Sequence, residues 1–134
     1  MIPAEVVVDA SVVVRGLTVS GSAAEVLESI AAGATVGHAP ELLITEVSSA
    51  LAVSVRTERR SLEDALSLLD SLARSPIELH SALPLARATV QLAATSSLSA
   101  YDAAYAVLAR ALDIPLVTAD KRLAAAVVGA VLVA

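Results

Sequence analysis

The chain has 134 residues, which is enough for one domain and too few for two. It contains no cysteine, so disulfides, thiolate metal sites and cysteine nucleophiles are excluded. The net charge of −5 argues against a nucleic-acid binder that works through a generally basic surface. It does not exclude a nuclease, because a cluster of carboxylates that binds a divalent cation also makes a chain formally acidic.

The terminal segments favour a protein that is neither secreted nor inserted in a membrane. No basic segment precedes the first apolar run, and Asp9 interrupts that run early, so we expect no signal peptide. The uncharged stretch 123–134 is well short of the roughly 20 residues that span a bilayer. We therefore expect a cytoplasmic protein with no membrane partner.

Short apolar strands and amphipathic helices alternate along the chain, with Ser22, Pro40 and Ser61 at predicted helix starts and Gly33 after a helix end. The predicted elements are a strand at 4–8, a helix at 23–32, a strand at 34–39, helices at 40–56 and 61–74, a strand at 77–80, helices at 84–94 and 99–112, a strand at 116–118, a helix at 120–127 and a strand at 130–133. This alternation predicts an α/β fold with a mostly parallel central sheet of four or five short strands flanked by helices.

Two acids follow predicted strands directly. Asp9 comes after the run Val6-Val7-Val8, and Asp120 comes after the run from Leu116 to Ala119. Ligands of a parallel sheet bind beyond the carboxyl ends of its strands. We therefore expect both carboxylates at the same rim of the sheet.

Two further acids lie on predicted helices. Asp102 is in the first turn of the helix that begins near Ser99, where capping-box spacing offers a purely structural explanation that is compatible with a metal role. Glu46 lies on a fairly apolar helix face, so it is either solvent-facing or buried with a partner. Carboxylates held close together repel each other unless a cation intervenes, and oxygen ligands suit Mg²⁺ or Mn²⁺. The positions of these four acids therefore predict a binding site for Mg²⁺ or Mn²⁺.

Other catalytic motifs are absent. No phosphate-binding Gly-rich loop is present, and His38 and His80 are each isolated in the sequence without a nucleophile motif nearby. We interpret both histidines as structural.

The acids lie in stretches that together resemble a PIN domain of the VapC type. The matching stretches are Val7-Val8-Asp9-Ala10-Ser11, Pro40-Glu41-Leu42-Leu43-Ile44-Thr45-Glu46-Val47, Leu98-Ser99-Ala100-Tyr101-Asp102-Ala103-Ala104-Tyr105 and Ile114-Pro115-Leu116-Val117-Thr118-Ala119-Asp120-Lys121-Arg122-Leu123. They occur in the family's order and span nearly the whole chain. Each stretch is a weak signal by itself, and together they are a strong one.

The resemblance implies one PIN-like, Rossmann-like domain over 1–134 and a Mg²⁺- or Mn²⁺-dependent endoribonuclease. It also implies an RNA substrate, a cognate VapB-type antitoxin and, as in many members, a homodimer. The metal-binding acids of the family fall on Asp9, Glu46, Asp102 and Asp120, and its supporting hydroxyls fall on Ser11 and Thr118. A turn or cap role for Ser11 and plain β-propensity for Thr118 are equally adequate explanations.

The surface residues set limits on how RNA would bind. Lys121 and Arg122 beside the last acid, and Arg15 after the first, are the candidate phosphate-binding cations. The chain has no Phe or Trp, so base stacking on those rings is impossible. We expect Tyr101 and Tyr105 to serve packing or a dimer contact rather than stacking.

Two alternatives stay open. One is a receiver-like phosphoacceptor domain, which would usually show paired acids after its first strand, whereas Asp9 has no acidic neighbour. The other is a PIN fold that binds partners without catalysis. Metal-dependent RNA cleavage distinguishes both from a ribonuclease.

Overall fold

A computed structural model describes all 134 residues as one α/β domain of five strands and seven α-helices. In chain order these are β1 Glu5–Val8, α1 Ala10–Thr18, α2 Ser22–Ala31, β2 Val36–Pro40, α3 Leu42–Arg56, α4 Leu62–Arg74, β3 Glu78–His80, a 3₁₀ turn Leu83–Leu85, α5 Ala86–Ala94, α6 Ala100–Leu112, β4 Leu116–Thr118, α7 Lys121–Ala126 and β5 Val131–Leu132.

All strand pairs are parallel, and the order across the sheet is β3-β2-β1-β4-β5. The chain builds the sheet outward from β1 to β3 on one side and then continues with β4 and β5 on the other. The point between β1 and β4, where the winding reverses, is the topological switch point at which open α/β sheets bind ligands. The predicted fold class is thus confirmed, and the sheet is parallel throughout.

Aliphatic side chains form the core on the two central strands. Val6, Val7 and Val8 of β1 are fully buried, and β4 is buried along its whole length, because helices cover both faces of the sheet. Tyr105 is the one aromatic residue in this core, at 1% exposure.

The helix α1 is not among the elements predicted from the sequence. Its run Val12-Val13-Val14 is β-branched and disfavours a helix. The helix forms because the Asp9 side chain caps it by accepting from the Val12 N–H, while Val12 and Val13 are buried. Gly16 permits close packing of α1 on α2, since a Cβ there would lie 2.6 Å from the Leu27 side chain.

Two predicted helix starts were wrong. Pro40 is the last residue of β2, and α3 begins at Leu42. Ser22 is the first residue of α2 rather than its cap, and Gly21 takes the cap position with a φ of 148°. Proline has a fixed φ that both the last residue of a strand and the first residue of a helix can adopt, so Pro40 is compatible with the end of β2.

No single helix is long and apolar enough to cross a membrane. The helices α1 and α2 meet the length and composition criterion only as a pair bent by 95°.

Candidate metal and active site

The site is built around Asp9, which directly follows β1 at the switch point. Asp9 is only 5% exposed to solvent. Its Oδ1 accepts hydrogen bonds from the Ser11 hydroxyl at 2.6 Å and the Val12 N–H at 3.2 Å, and its Oδ2 accepts from the Thr118 hydroxyl at 2.7 Å. All three donors are neutral, and no Lys or Arg forms an ion pair with it. Burial raises the pKa of Asp9, and the nearby Asp120 adds to that rise, although the hydrogen bonds oppose it.

The two predicted hydroxyl residues join the ends of β1 and β4. Ser11 accepts a hydrogen bond from the Ala119 N–H at 3.0 Å and lies 3.3 Å from the Thr118 hydroxyl. Thr118 is fully buried and accepts from the Asp120 N–H at 3.0 Å. The hydroxyls therefore fix the Asp9 carboxylate and the backbone that leads to Asp120.

Asp120 is at the start of α7 and caps it, so β4 does not extend as far as this residue. Its Oδ1 accepts from the N–H groups of Arg122 at 2.9 Å and Leu123 at 3.2 Å. Its other oxygen, Oδ2, lies 3.7 Å from the Arg122 guanidinium.

Glu46 reaches the same site from α3 and is held by a residue that the sequence analysis did not assign to the site. The Tyr105 hydroxyl donates to its Oε1 at 2.6 Å. Burial raises the pKa of Glu46, and Asp102 and Asp9 raise it further, while the Tyr105 hydrogen bond lowers it. The expectation of a packing role for Tyr105 was incomplete. A signal was available, because Tyr105 follows Asp102 by three residues and so shares its helix face.

Asp102 lies in the first turn of α6, where the Ser99 hydroxyl accepts its N–H at 3.1 Å. The capping interpretation is thus correct for the backbone, and the Asp102 carboxylate is free to face the crevice. There it accepts a hydrogen bond from Arg122 at 2.7 Å, and this contact raises the pKa of the Arg122 guanidinium.

The candidate phosphate-binding cations differ in their surroundings. Arg122 is engaged with Asp102 and Asp120, so it spans two of the four acids rather than standing free. Lys121 is exposed and makes no ion pair. Arg15 is exposed on α1 and lines, together with Ser11 and Ala119, a groove of about 440 Å³ beside the acids.

The two histidines, which are isolated in the sequence, lie close together in the structure. His38 Nδ1 lies 3.0 Å from His80 Nε2, and the carboxylates of Glu5 and Glu78 flank His38. His38 and His80 are 42 residues apart in the sequence, and the parallel pairing of β2 with β3 brings them together. This cluster lies on the other side of β1 from β4 and is separate from the four acids.

Four carboxylates from different parts of the chain thus lie near one another around the crevice at the switch point. Asp120 acts electrostatically on Asp9, Asp102 and Asp9 act on Glu46, and Arg122 lies between Asp102 and Asp120. Burial is the main cause of the raised pKa values of Asp9 and Glu46, and repulsion from the neighbouring carboxylates adds to it. Oxygen ligands alone suit a hard divalent cation. The crevice is therefore a candidate metal site that could position a phosphodiester.

A parallel sheet with acids at its switch point defines an α/β domain with a candidate ligand site beyond the strand ends. The PIN domain model matches residues 6–128, and the chain belongs to the PIN domain family.

Its relatives include ribonucleases named VapC. The chain is 40% identical over 126 residues to Ribonuclease VapC1 of Mycobacterium tuberculosis, and this match covers 91% of the chain and 90% of the relative. It is 33% identical over 118 residues to VapC ribonuclease Mb0985 of Mycobacterium bovis, with 88% and 87% of the two chains covered.

Two solved structures have the same fold. The crystal structure of PAE2754 from Pyrobaculum aerophilum has a TM-score of 0.77 and 27% identity, and the match covers 95% of this chain and 82% of that one. The crystal structure of VapBC2 from Rickettsia felis bound to a DNA fragment from their promoter has a TM-score of 0.64 and 19% identity, and the match covers 96% of each chain.

Proposed function

We propose that the protein is a metal-dependent endoribonuclease and the toxin component of a VapBC-type toxin–antitoxin pair. The observation that carries this proposal is the buried Asp9 carboxylate, which has no cationic partner although three other acids face the same crevice. The similarity to ribonucleases named VapC, over most of both chains, supports RNA as the substrate.

The donor chemistry of these residues, all carboxylate oxygens, fits a Mg²⁺ or Mn²⁺ ion. A buried carboxylate normally requires a cation or protonation, and here neutral donors hold Asp9 in a fixed orientation without neutralising it. Asp9, Asp102 and Asp120 would bind the ion, and Glu46 would be a further ligand or would orient the attacking water. Bound there, the ion would supply a Lewis acid for the phosphodiester and lower the pKa of water.

The side chains around the acids have supporting roles in this proposal. Ser11 and Thr118 hold the Asp9 carboxylate, and Tyr105 holds Glu46. Glu46 is suited to accept a proton from water, because its raised pKa brings it closer to neutral pH than an ordinary carboxylate.

RNA would approach along the groove beside the acids. Arg15 and Lys121 would contact backbone phosphates. Arg122 would do so only when it releases Asp102 and Asp120, which a bound metal ion would favour by neutralising both acids.

The toxin proposal includes a cognate VapB-type antitoxin, a homodimer and a cytoplasmic location, where RNA and antitoxin would both be present. The solved VapBC2 complex of Rickettsia felis has this fold, so the architecture is compatible with such an assembly.

The decisive experiment is cleavage of a mixed RNA pool by the purified protein, with Mg²⁺ or Mn²⁺ and with EDTA. Asp9→Asn tests the site, and Asp70→Asn, which removes an exposed acid on α4, is the matched control. Metal-dependent cleavage that Asp9→Asn abolishes and Asp70→Asn preserves would support the proposal. Full activity in both Asp9→Asn and Asp120→Asn would refute the site assignment.

The same assay addresses the alternatives. Folded protein that is free of antitoxin and cleaves no RNA with any metal would favour a PIN fold that only binds partners. The receiver-like alternative is already contradicted, because receiver domains have the strand order 2-1-3-4-5, whereas this sheet has the order 3-2-1-4-5 and belongs to a PIN domain.

A further inference from the structure

We propose a second metal site in this protein, formed by His38, Glu78 and His80 and selective for a borderline ion such as Zn²⁺. The proposal does not depend on the nuclease activity, because none of these residues belongs to the four-acid crevice. Their ligand atoms all lie within 4.8 Å of one another.

The geometry is close to that of a zinc site. In a tetrahedral site with metal–ligand distances of about 2.0–2.1 Å, two ligand atoms stand about 3.3–3.4 Å apart. His38 Nδ1 lies 3.4 Å from Glu78 Oε2 and 3.0 Å from His80 Nε2. Metal entry thus requires the histidine nitrogens to separate by only a few tenths of an ångström.

The ring of His38 is already oriented for metal binding. It is 6% exposed, and its Nε2 lies 3.1 Å from the Glu5 carboxylate on the neighbouring strand β1. A carboxylate that accepts the N–H of one ring nitrogen leaves the lone pair on the other, and it raises the basicity of the ligand. With its Nε2–H donated to Glu5, His38 would carry its lone pair on Nδ1, the ring nitrogen that lies near His80 and Glu78.

The donor set determines which metal this site prefers. Two imidazoles and one carboxylate match the His₂Glu set of zinc enzymes, with a fourth position open to water. Imidazole nitrogen suits Zn²⁺, Ni²⁺ and Co²⁺, whereas Mg²⁺ prefers an all-oxygen set. The two sites of the molecule thus differ in metal preference.

The position of the site indicates what the metal would do. β3 is an edge strand of only three residues, and its side chains are exposed or half-buried. An ion held by β2 and β3, with Glu5 of β1 behind it, would tie this edge to the centre of the sheet. Zinc would therefore raise the melting temperature, by an amount that grows with the logarithm of the free Zn²⁺ concentration once this exceeds the Kd.

Isothermal titration of the full chain without a polyhistidine tag, with Zn²⁺ added in excess Mg²⁺, tests the proposal. The excess Mg²⁺ is present to compete with Zn²⁺ for the four acids at the switch point. We expect one equivalent of Zn²⁺ to bind, and Co²⁺ to give the visible absorption of a tetrahedral site. His80→Gln and Glu78→Gln should weaken Zn²⁺ binding by more than about 100-fold, and Glu5→Ala by about 10–100-fold.

Glu63→Gln, an exposed acid on α4, is the matched control and should bind Zn²⁺ like the wild type. Glu78 is 64% exposed at its side chain, so its substitution leaves the fold intact even where His80→Gln lowers stability. The proposal is refuted by the absence of Zn²⁺ binding in excess Mg²⁺, or by equal Zn²⁺ affinity in the wild type, His80→Gln and Glu78→Gln.

Discussion

The hydrogen bond between Tyr105 and Glu46 gives the sharpest test of how the acids are positioned. Tyr105→Phe removes one buried oxygen atom and leaves the ring in the core. The lost bond is short, at 2.6 Å, and its acceptor is a carboxylate. Hydrogen bonds to charged groups contribute about 1.5–3 kcal/mol. Glu46 is half-exposed and water can replace part of the interaction, so we expect a loss of about 1–2 kcal/mol of unfolding free energy.

A loss of this size corresponds to a melting temperature lower by about 3–8 °C for a domain of this length. The effect on catalysis has a defined sign. Because the Tyr105 hydroxyl lowers the pKa of Glu46, its removal raises that pKa further, and Glu46 becomes protonated at a higher pH. The acidic limb of the pH profile of kcat/KM for RNA cleavage should therefore move to higher pH.

Tyr101→Phe is the matched control, since Tyr101 is on the same helix and 65% exposed. It should change neither the melting temperature nor the pH profile. If Tyr105→Phe and Tyr101→Phe give identical profiles, Glu46 has no part in the pH dependence. If their melting temperatures are also identical, the hydrogen bond contributes nothing to stability.

Three further predictions concern the remaining site residues. Folding raises the pKa of Asp9, so the charged Asp9 carboxylate destabilises the metal-free protein when the pH is above this pKa. The destabilisation decreases as the pH falls through the folded-state pKa and Asp9 becomes protonated. Asp9→Asn should thus stabilise the metal-free protein at neutral pH by about 0.5–2 kcal/mol and abolish stabilisation by Mg²⁺, both seen in thermal melts. Arg122→Ala should tighten Mg²⁺ binding in calorimetry because it frees Asp102, whereas Lys121→Ala should not. Thr118→Val should cost about 1–3 kcal/mol in denaturant unfolding and reduce RNA cleavage, since it removes a buried donor to Asp9; unchanged stability would contradict its supporting role.

The α/β class and the positions of Asp9 and Asp120 at strand ends could be predicted from the sequence, because each acid directly follows a short apolar run. The helix α1 could not be predicted, because its valines favour a strand. The cap from Asp9 and the packing of α2 against α1 outweigh that preference in the folded protein. Local propensity gave way there to tertiary packing, which no short window of sequence contains.

The partners of site residues were harder to predict than the residues themselves. Tyr105 meets Glu46 across 59 positions, and His38 meets His80 across 42. The histidine contact depends on the register of β2 with β3, and the tyrosine contact depends on how α3 and α6 pack in the folded domain. The pairing of Arg122 with Asp102 was missed because these residues lie 20 positions apart on α6 and α7, which are separated in the chain by β4.

The placement of the two tyrosines also gives the protein an intrinsic optical probe. The chain has no tryptophan, so its near-ultraviolet absorption and emission come from Tyr101 and Tyr105 alone. Tyr101 is exposed to solvent, whereas the phenol of Tyr105 is buried and bonded to a site carboxylate. Changes in tyrosine absorption or fluorescence that survive in Tyr101→Phe therefore report on the crevice itself, and metal or antitoxin binding can be followed without attaching a dye.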